Sequence, residues 1–398
     1  MAFIAQAADG RTVRYVDGKR YLWLMSLTGP MIPMISVYWY MASGQNPLTL
    51  LFPLAYTFLA VPIIDFLMGE DTHNPPEEVV ALMSKDNYYR FLLYVAIALL
   101  YIDFFVVAWF IGTHALSWGW VIALSLGTGY SSAGAILIGH ELGHKNNAAD
   151  HRASQIVNAL VGYGQFCIEH NRGHHVQVST PEDFASSRMG ESIYKFMFRE
   201  IPGALRRGWG HERERLAKLG NANPWTYRNE ILQSWALTAV IAIALIASFG
   251  WIMIPFILIH HFYGWYGLTQ ANYVEHYGLL RAKLPNGRYE LCEPRHSWNT
   301  NHIYSNLISF HLQRHSDHHA NALRPYQALR DFDDLPRLPS GYPGCFGLAA
   351  IPVLWFKVMD PKVVAWAGGD ITKVNIDPNK KEKLYKKYGQ RYQEALTA

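Results

Sequence analysis

The sequence predicts an all-α integral membrane protein in which six transmembrane helices carry a histidine-rich cap on their cytoplasmic side. Half of the 398 residues are hydrophobic and only 17% are charged, whereas about a quarter is usual in globular proteins. Charged residues nearly vanish from six stretches of about 20 residues, the length of helix that crosses a bilayer. The histidines gather instead in the segments between and after these stretches.

Basic residues alternate along the connections between the predicted spans. The segment before the first span carries Arg11, Arg14, Lys19 and Arg20, the loop after the second carries Lys85 and Arg90, and the loop 145–230 is rich in both types, whereas the turns SGQNP and THALS have none. Basic residues stay on the cytoplasmic side, so the alternation predicts both termini in the cytoplasm. Six buried helices of a soluble protein would not produce it. The predicted spans are residues 22–42, 47–68, 91–112, 116–139, 231–250 and 251–270.

The spans divide the chain into five regions. These are a cytoplasmic N-terminal segment (1–21), four helices ending in a first histidine cluster (22–144), a cytoplasmic loop with a second cluster (145–230), two helices leading into NYVEHYG (231–278) and a cytoplasmic C-terminal region (279–398). The apolar segments 156–166 and 345–356 are too short to span, which suits re-entrant, interfacial or core helices. The N-terminus has no apolar run behind a basic start, so no cleaved signal peptide is expected.

Charge and cysteine usage narrow the class of protein. A formal net charge of +4 is too small to indicate nucleic-acid binding. The three cysteines form no CxxC pair, which argues against a disulfide framework or a cysteine-based zinc site.

Three clusters concentrate histidine at spacings that suit metal ligation: HELGHK at 140–145, EHNRGHH at 169–175 and HSDHH at 315–319. Each contains an i,i+4 pair, which lies on one helix face about 6 Å apart. Consecutive histidines diverge by about 100° on a helix, so HxxHH can direct imidazoles toward two metals. With the histidine of NYVEHYG, the candidate ligands are His140, His144, His170, His174, His175, His276, His315, His318 and His319.

Nine candidate ligands indicate two metals with four or five each, because a tetrahedral zinc site uses at most four. Imidazole binds zinc, copper, nickel and iron, so the ligand type alone does not choose the metal. His260 and His261 lie about 22 Å of helix rise before His276 and are poor ligand candidates. His311 is expected to support the site rather than ligate. The isolated histidines, at positions 73, 114, 151, 211, 296 and 302, are expected to be ordinary structural residues.

The motifs HELGHK, EHNRGHH, LQRHSDHH and NYVEHYG resemble the four histidine boxes of the integral-membrane alkane 1-monooxygenases. This family belongs to the wider class of histidine-box membrane di-iron desaturases and hydroxylases, and the last two motifs together are specific to the alkane and related hydroxylases. The resemblance extends through NPPEEVV at 74–80, SRMGESIYKF at 187–196, HSWNTNHI at 296–303, YPGCF and MDPKVV. It covers roughly residues 15–375 without a departure in any box.

The resemblance implies O2-dependent terminal hydroxylation of medium-chain n-alkanes to 1-alkanols at a non-haem di-iron centre. The two iron ions (Fe2+/Fe3+) would be held in the cytoplasmic cap by the nine histidines, and electrons would come from NAD(P)H through rubredoxin reductase and rubredoxin, separate or fused. The implied location is the bacterial cytoplasmic membrane, with alkane entering from the bilayer. An unactivated C–H bond gives acid–base residues nothing to act on, so the metals carry the chemistry and the protein supplies position and a dry pocket.

Several charged residues are candidates for supporting roles. Outer carboxylates orient metal-bound imidazoles, and the candidates are Glu141, Glu169, Asp183, Glu275, Asp317 and Asp65. Asp65 and Asp103 lie within predicted spans, where ionisable side chains are costly and usually functional; Asp103 has no assigned role. An acidic electron donor is expected to dock on Arg172, Arg206 and Arg207, near the Lys-rich tail at 380–387.

Other functions remain open at the level of sequence. A lipid desaturase or hydroxylase of the same class shares the first three boxes. HELGH also matches the zinc-protease motif HExxH, but an intramembrane protease would leave seven clustered histidines unused. A metal transporter would place its ligands along the membrane path. For an alkane hydroxylase, the side chain that closes the far end of the pocket would set the preferred chain length, and bulky candidates are Trp39, Tyr56, Phe58 and Tyr130.

Overall fold

The structure is a computed structural model that describes the backbone of residues 2–397 and the side chains of residues 2–389. An antiparallel hairpin of β1 (Ala2–Gln6) and β2 (Thr12–Val16) lies at the N-terminal end. The longer elements are helices. They are α1 (Ile32–Ala42), α2 (Pro47–Met68), α3 (Glu77–Met83), α4 (Asn87–Thr113), α5 (Trp118–Gly143), α6 (Ala148–Ala159), α7 (166–177), α8 (Ile193–Lys218), α9 (Glu230–Phe249), α10 (Met253–His276), α11 (Ile303–Ile308), α12 (His315–Ala320), α13 (Tyr342–Ala349), α14 (Pro352–Trp366) and α15 (Lys381–Thr397). Short 3-10 turns lie at Leu22–Leu27, Gly29–Met31, Pro294–His296, Tyr326–Ala328, Ile371–Lys373 and Pro378–Lys380.

Among the residues described, four helices are long and apolar enough to cross a membrane: α2, α4, α5 and α9. They match the predicted spans at 47–68, 91–112, 116–139 and 231–250. Helices α13 and α14 form a pair bent by 118° that would supply a fifth crossing if counted as one span. The prediction of an all-α membrane protein is confirmed, while the number of six spans and their orientation stay predictions.

The first predicted span, residues 22–42, is not one continuous helix. Two 3-10 turns precede α1, because Pro30 and Pro33 each lack a backbone N–H and disfavour a regular helix through the residues before them. The first turn of α1 tolerates Pro33. Asp103 of α4, buried in the bundle, accepts a hydrogen bond from the backbone N–H of Met34 at 2.7 Å. The first N–H groups of a helix have no partner within it, so Asp103 caps α1 inside the protein. No role for Asp103 was predicted from the sequence.

The sixth predicted span is helical; Ile254, Leu258 and Phe262 form an exposed apolar face in its N-terminal half. Helix α10 carries several polar side chains, and most of its C-terminal half is buried. It packs closely on α5 through small residues: a Cβ added at Gly129 would lie 2.6 Å from the carbonyl oxygen of His260, and one at Gly267 would lie 2.5 Å from the Cβ of Ala133. Small residues let membrane helices approach closely. Both helices end in histidine motifs, so this packing brings the motifs together.

The two short apolar segments differ in the structure. Segment 156–166 lies in the core, where Val157, Leu160, Val161 and Phe166 are buried. Segment 345–356 covers the bend between α13 and α14. Both outcomes fall within the range expected for apolar segments too short to span.

Candidate metal centre

The four histidine motifs meet at one end of the helix bundle. HELGHK ends α5, EHNRGHH lies in α7, NYVEHYG ends α10 and HSDHH lies in α12. All nine predicted histidines come together in two groups, within each of which the ligand atoms lie within 4.8 Å of one another. The five-histidine group is His140, His144, His170, His175 and His318, and the four-histidine group is His174, His276, His315 and His319.

A π-helical turn decides how α7 divides its histidines between the groups. The turn spans His170–His174 and widens the repeat from four residues to five. The Nε2 atoms of His170 and His175 therefore lie 2.9 Å apart in the five-histidine group, whereas His174 points into the other group. The i,i+4 spacing predicts that His170 and His174 lie about 6 Å apart, and their ring centroids lie 5.2 Å apart. Spacing alone left open which histidines share a metal, and the π-helical turn divides these two between the groups.

Helix α12 serves both groups in the way that HxxHH allows. The Nε2 atoms of His315 and His319 lie 2.9 Å apart in the four-histidine group. The Nε2 atom of His318 lies 2.8 Å from that of His140 and 3.1 Å from that of His175. One six-residue helix thus contributes to both groups because its consecutive histidines diverge.

The donor set fits metal ions. Buried ring nitrogens of His144, His174 and His276 have no hydrogen-bond partner in the described structure. Burial, followed by repulsion from neighbouring histidines, lowers the pKa of His170, His318 and His319 well below its ordinary value. Neutral imidazole is the form that binds a metal. Two converging sets of imidazole nitrogens can hold two ions of the kind that imidazole binds.

Asp183 and Arg207 support His174. Asp183 accepts a hydrogen bond at 2.8 Å from Nδ1 of His174, leaving Nε2 for a metal. Arg207 donates at 2.8 Å to the other oxygen of Asp183 and, through Nε, at 2.8 Å to Glu169. Burial opposes ionisation of Asp183, but the hydrogen bonds from His174 and Arg207 and the positive charge of Arg207 lower its pKa. Glu169 reaches the site through Arg207 rather than by touching an imidazole.

Glu275 supports the four-histidine group from α10. One carboxylate oxygen lies 3.2 Å from Nε2 of His315, and the other accepts a hydrogen bond at 2.8 Å from the Tyr342 hydroxyl. In the sequence, Tyr342 stands out only as part of the YPGCF motif. It lies 67 positions from Glu275, so nothing in the sequence indicated their contact.

The other predicted carboxylates stabilise the segments that carry histidines. Glu141 pairs with Lys145 at 2.6 Å and accepts from the backbone of Tyr326 at 3.3 Å, and within the described residues it has no hydrogen bond to any of the nine imidazoles. Asp317 binds Arg324, Asn321 and the backbone of Arg330 around α12. Asp65 accepts at 2.8 Å from the backbone of Ser305 in α11. These three act on the backbone around the site rather than on its ligands.

The histidines expected to be poor ligands lie elsewhere. His260 contacts Ser132 at 2.9 Å and His261 at 3.0 Å in mid-bundle. His311 packs its ring against Trp23, with its Nδ1 atom 3.0 Å from the carbonyl oxygen of Tyr326. It therefore holds the segment that in turn contacts Glu141, an indirect form of the expected support.

An apolar cavity of about 200 Å³ leads to the histidines. Along α5 it is lined by Gly127, Tyr130, Gly134, Leu137 and His140, a helical repeat that covers about 20 Å of rise. At the metal end it reaches His170, His315 and Glu275. Ligand pockets are typically apolar with a few polar groups at one end, and this one suits a long, unbranched apolar molecule.

The far end of this cavity lies where α2 meets α5. Gly127 and Pro53 both line it there, and a Cβ added at Gly127 would lie 2.7 Å from Pro53. Tyr56 and Tyr130 line the cavity. Trp39 packs instead on Phe52, and Phe58 packs on Tyr130 from outside the lining.

The three arginines considered for donor docking differ in exposure. Arg172 and Arg206 are exposed. The Arg207 side chain is only 10% exposed and is engaged by Glu169 and Asp183, so it is not available to a partner. His175, next to the exposed Val176, is half-buried.

Apolar helices that end in two histidine groups define a histidine-box membrane enzyme, and comparison with known proteins agrees. Residues 115–347 match the model of the fatty acid desaturase family. The chain is 51% identical to an alkane 1-monooxygenase of Ectopseudomonas oleovorans over 94% of this chain and 93% of that protein. It is 50% identical to one of Pseudomonas putida, over 94% and 92% respectively. It is 48% identical to alkane 1-monooxygenase 1 of Alcanivorax borkumensis, over 96% and 94%. The chain belongs to the alkane 1-monooxygenase family and is a multi-pass membrane oxidoreductase.

Proposed function

We propose that this enzyme converts medium-chain n-alkanes and O2 to 1-alkanols at a centre of two iron ions held by the nine histidines. The observation that carries the proposal is the apolar cavity that ends against His140, His170 and His315. Family membership supports alkane hydroxylation in general. Hydroxylation at the terminal carbon is proposed because the cavity lining runs along α5 to the histidines, so that the end of a chain lying along it would face them.

The protein's own residues would position the alkane, exclude water from it and support the metal ligands. His140, His144, His170, His175 and His318 would hold one ion, and His174, His276, His315 and His319 the other. Bound iron would supply the oxygen activation and C–H cleavage that these side chains cannot. Asp183 orients His174, and Glu275 lies beside His315 at the base of the cavity. The apolar lining keeps competing water from the alkane methyl group.

We further propose that the enzyme lies in the bacterial cytoplasmic membrane with both termini and the metal centre facing the cytoplasm. The alternation of basic residues between the connections supports this orientation. Alkane would then enter the cavity from the bilayer, where an oil-soluble substrate accumulates.

Electrons are proposed to come from NAD(P)H through rubredoxin reductase and a separate or fused rubredoxin. The proposed docking site is the surface at half-buried His175, a member of the five-histidine group, and the exposed Val176 that follows it. Arg172 is exposed beside them and suits an acidic donor. Arg206 is exposed on α8, and Arg207 supports Asp183 instead.

The rival functions fit the geometry less well. In a zinc protease the glutamate of HExxH must face the metal from the substrate side, whereas Glu141 is held by Lys145 and the Tyr326 backbone. A lipid desaturase or hydroxylase of the same class would share the histidine groups. The wall of the cavity is mainly apolar, which favours an alkane over a lipid with a polar head.

Metal analysis with product analysis tests the proposal. The purified enzyme should contain two irons per chain and form 1-octanol from n-octane when supplied with rubredoxin and its reductase. His318→Ala should lose both iron and turnover, because it removes a nitrogen donor from the five-histidine group. His73→Ala is the matched control, since that side chain is 96% exposed.

Two results would contradict the proposal. Full iron content and turnover in His318→Ala would contradict the assignment of His318 as an iron ligand. One zinc per chain together with peptide cleavage that disappears in Glu141→Gln would favour the protease.

A further inference from the structure

We propose that the outer face of α8 lies in the lipid headgroup region of the leaflet on the metal-centre side. Tyr194, Phe198 and Leu205 of this helix are 47%, 76% and 38% exposed, and Trp209 is half-buried. At about 100° per residue these four side chains project within about 60° of one another. They form a continuous apolar stripe, called here the α8 stripe, along four turns of the helix.

Basic side chains border one edge of the α8 stripe. Arg206 and Arg213 are exposed and project within about 20° of each other, adjacent to the stripe. Lys195 lies on the same edge, but its ammonium is paired with Asp377 at 2.6 Å. An apolar sector flanked by Lys and Arg is typical of helices that lie in the membrane interface. The basic edge can meet lipid phosphates while the stripe reaches the acyl boundary.

The opposite face of α8 is occupied by the protein itself. Glu200 accepts hydrogen bonds from Thr269 at 2.7 Å and Asn272 at 3.2 Å, both on α10. Arg207 reaches Glu169 and Asp183 beside the four-histidine group. The helix is therefore fixed in rotation by buried polar contacts, and these contacts direct the α8 stripe outward.

The α8 stripe is continuous with a membrane-crossing surface. The Trp209 ring stacks on Trp235 of α9 with centroids 6.2 Å apart and planes 14° from parallel. Trp225, which is 69% exposed, packs on Trp209 at 5.2 Å. Helix α9 is one of the four helices apolar enough to span, and tryptophan is enriched at the membrane interface. This continuity selects lipid as the occupant over a soluble partner or a second copy.

The arrangement has a consequence for the metal centre. One face of α8 contacts lipid while the other holds Asp183, the partner of His174, through Arg207. Through this helix, the membrane surface would fix the position of the four-histidine group relative to the headgroups.

Spin labels test this placement in the full-length enzyme in lipid nanodiscs. Labels are attached at Phe198→Cys and Leu205→Cys on the α8 stripe and at Glu214→Cys, an exposed position that projects away from it. The parent chain, whose thiols are Cys167, Cys292 and Cys345, is labelled in parallel and its signal subtracted. Collision with O2 reports lipid and collision with a water-soluble nickel chelate reports water. The ratio of O2 to nickel accessibility should be several-fold higher at 198 and 205 than at 214.

The other outcomes overturn the proposal. Free access of nickel to positions 198 and 205 would mean that the α8 stripe lies in water. Exclusion of both colliders together with dipolar broadening between labels would mean that a second copy covers it. A second measurement uses nanodiscs that contain anionic lipid. The label at 205 should lie deeper in these nanodiscs than in neutral ones, and the double variant Arg206→Gln, Arg213→Gln should remove that difference in depth. Equal depth in the two lipids would contradict the role of the basic edge. None of these readouts depends on hydroxylase activity.

Discussion

Arg207 joins two carboxylates that are 14 positions apart in the chain, and it does so beside the metal centre. Its guanidinium passes over Gly173, where a Cβ would lie 2.5 Å from the arginine Nε. Glycine in the second histidine box therefore gives Arg207 access to Glu169 and Asp183. Replacing a side chain that orients a metal-bound imidazole typically lowers metal affinity or activity by about 10–100-fold.

Arg207→Gln is expected to lower iron affinity and turnover by about 10–100-fold. The change leaves Glu169 and Asp183 buried without their counter-charge, so Asp183 orients His174 less well. Arg207→Lys, which keeps the charge but not the forked donors, should fall between. Iron per chain and thermal stability are the measurements, and the neighbouring Arg206→Gln should change neither. Normal iron content in Arg207→Gln would contradict this role.

Among the secondary-structure elements, α5 both lines the proposed substrate cavity and carries proposed metal ligands at its C-terminal end. Its cavity face repeats every three to four residues, from Gly127 to His140. Gly134 lies midway, about 9 Å of rise from His140, and a Cβ added there would meet nothing within 4 Å. A larger side chain at Gly134 would therefore occupy part of the cavity.

Gly134→Val should shift the enzyme toward shorter alkanes. Filling the cavity is expected to lower kcat/KM for the longest accepted alkane by about tenfold or more, since overpacking costs about 1–3 kcal/mol. Short alkanes should be turned over nearly as before. Gly119→Val, at an equally open but exposed position of the same helix, should leave the preference unchanged. An unaltered chain-length profile in Gly134→Val would exclude the cavity as the substrate site.

Helix α1 depends on α4 for its cap. Asp103→Ala removes the acceptor for Met34 N–H and should destabilise the protein by about 1–3 kcal/mol, the cost of leaving a buried group unpaired. Asp103→Asn retains an oxygen acceptor and should restore most of the loss. Thermal unfolding in detergent measures both. Equal stability of Asp103→Ala and the parent would show that the cap contributes nothing.

At the scale of the whole molecule, the proposed electron donor, rubredoxin, would need a surface of the enzyme on which it can dock. Transient redox complexes bury little area and rely on opposite charge to steer the encounter. That attraction is screened over about 8–10 Å at moderate salt. Arg172 is the exposed charge closest in sequence to His170, His174 and His175.

The apparent KM for rubredoxin should therefore rise with ionic strength, and Arg172→Gln should raise it at low salt and flatten the dependence. Arg206→Gln should have a smaller effect, because that side chain borders the lipid-facing stripe of α8. Steady-state turnover at a fixed alkane concentration measures both. A KM that does not change with salt would mean that docking is apolar and that the basic residues on this side reflect membrane topology.

The class of fold and the candidate ligands could be predicted from local information. Apolar runs of bilayer length and histidines at helical spacings are properties of neighbouring residues, which is why four spans and all nine histidines were found. The division of histidines in α7 was not predictable from spacing, since the π-helical turn at His170–His174 depends on what surrounds it.

The sequence by itself therefore determined the membrane class, the four histidine motifs and the number of candidate ligands. Only the tertiary structure decided which histidines form each group, that Arg207 faces inward and that Tyr342 supports Glu275. Short-range spacing sets the direction of a side chain relative to its own helix. Its partner depends on how α5, α8, α10 and α12 pack, and those contacts join residues far apart in the chain.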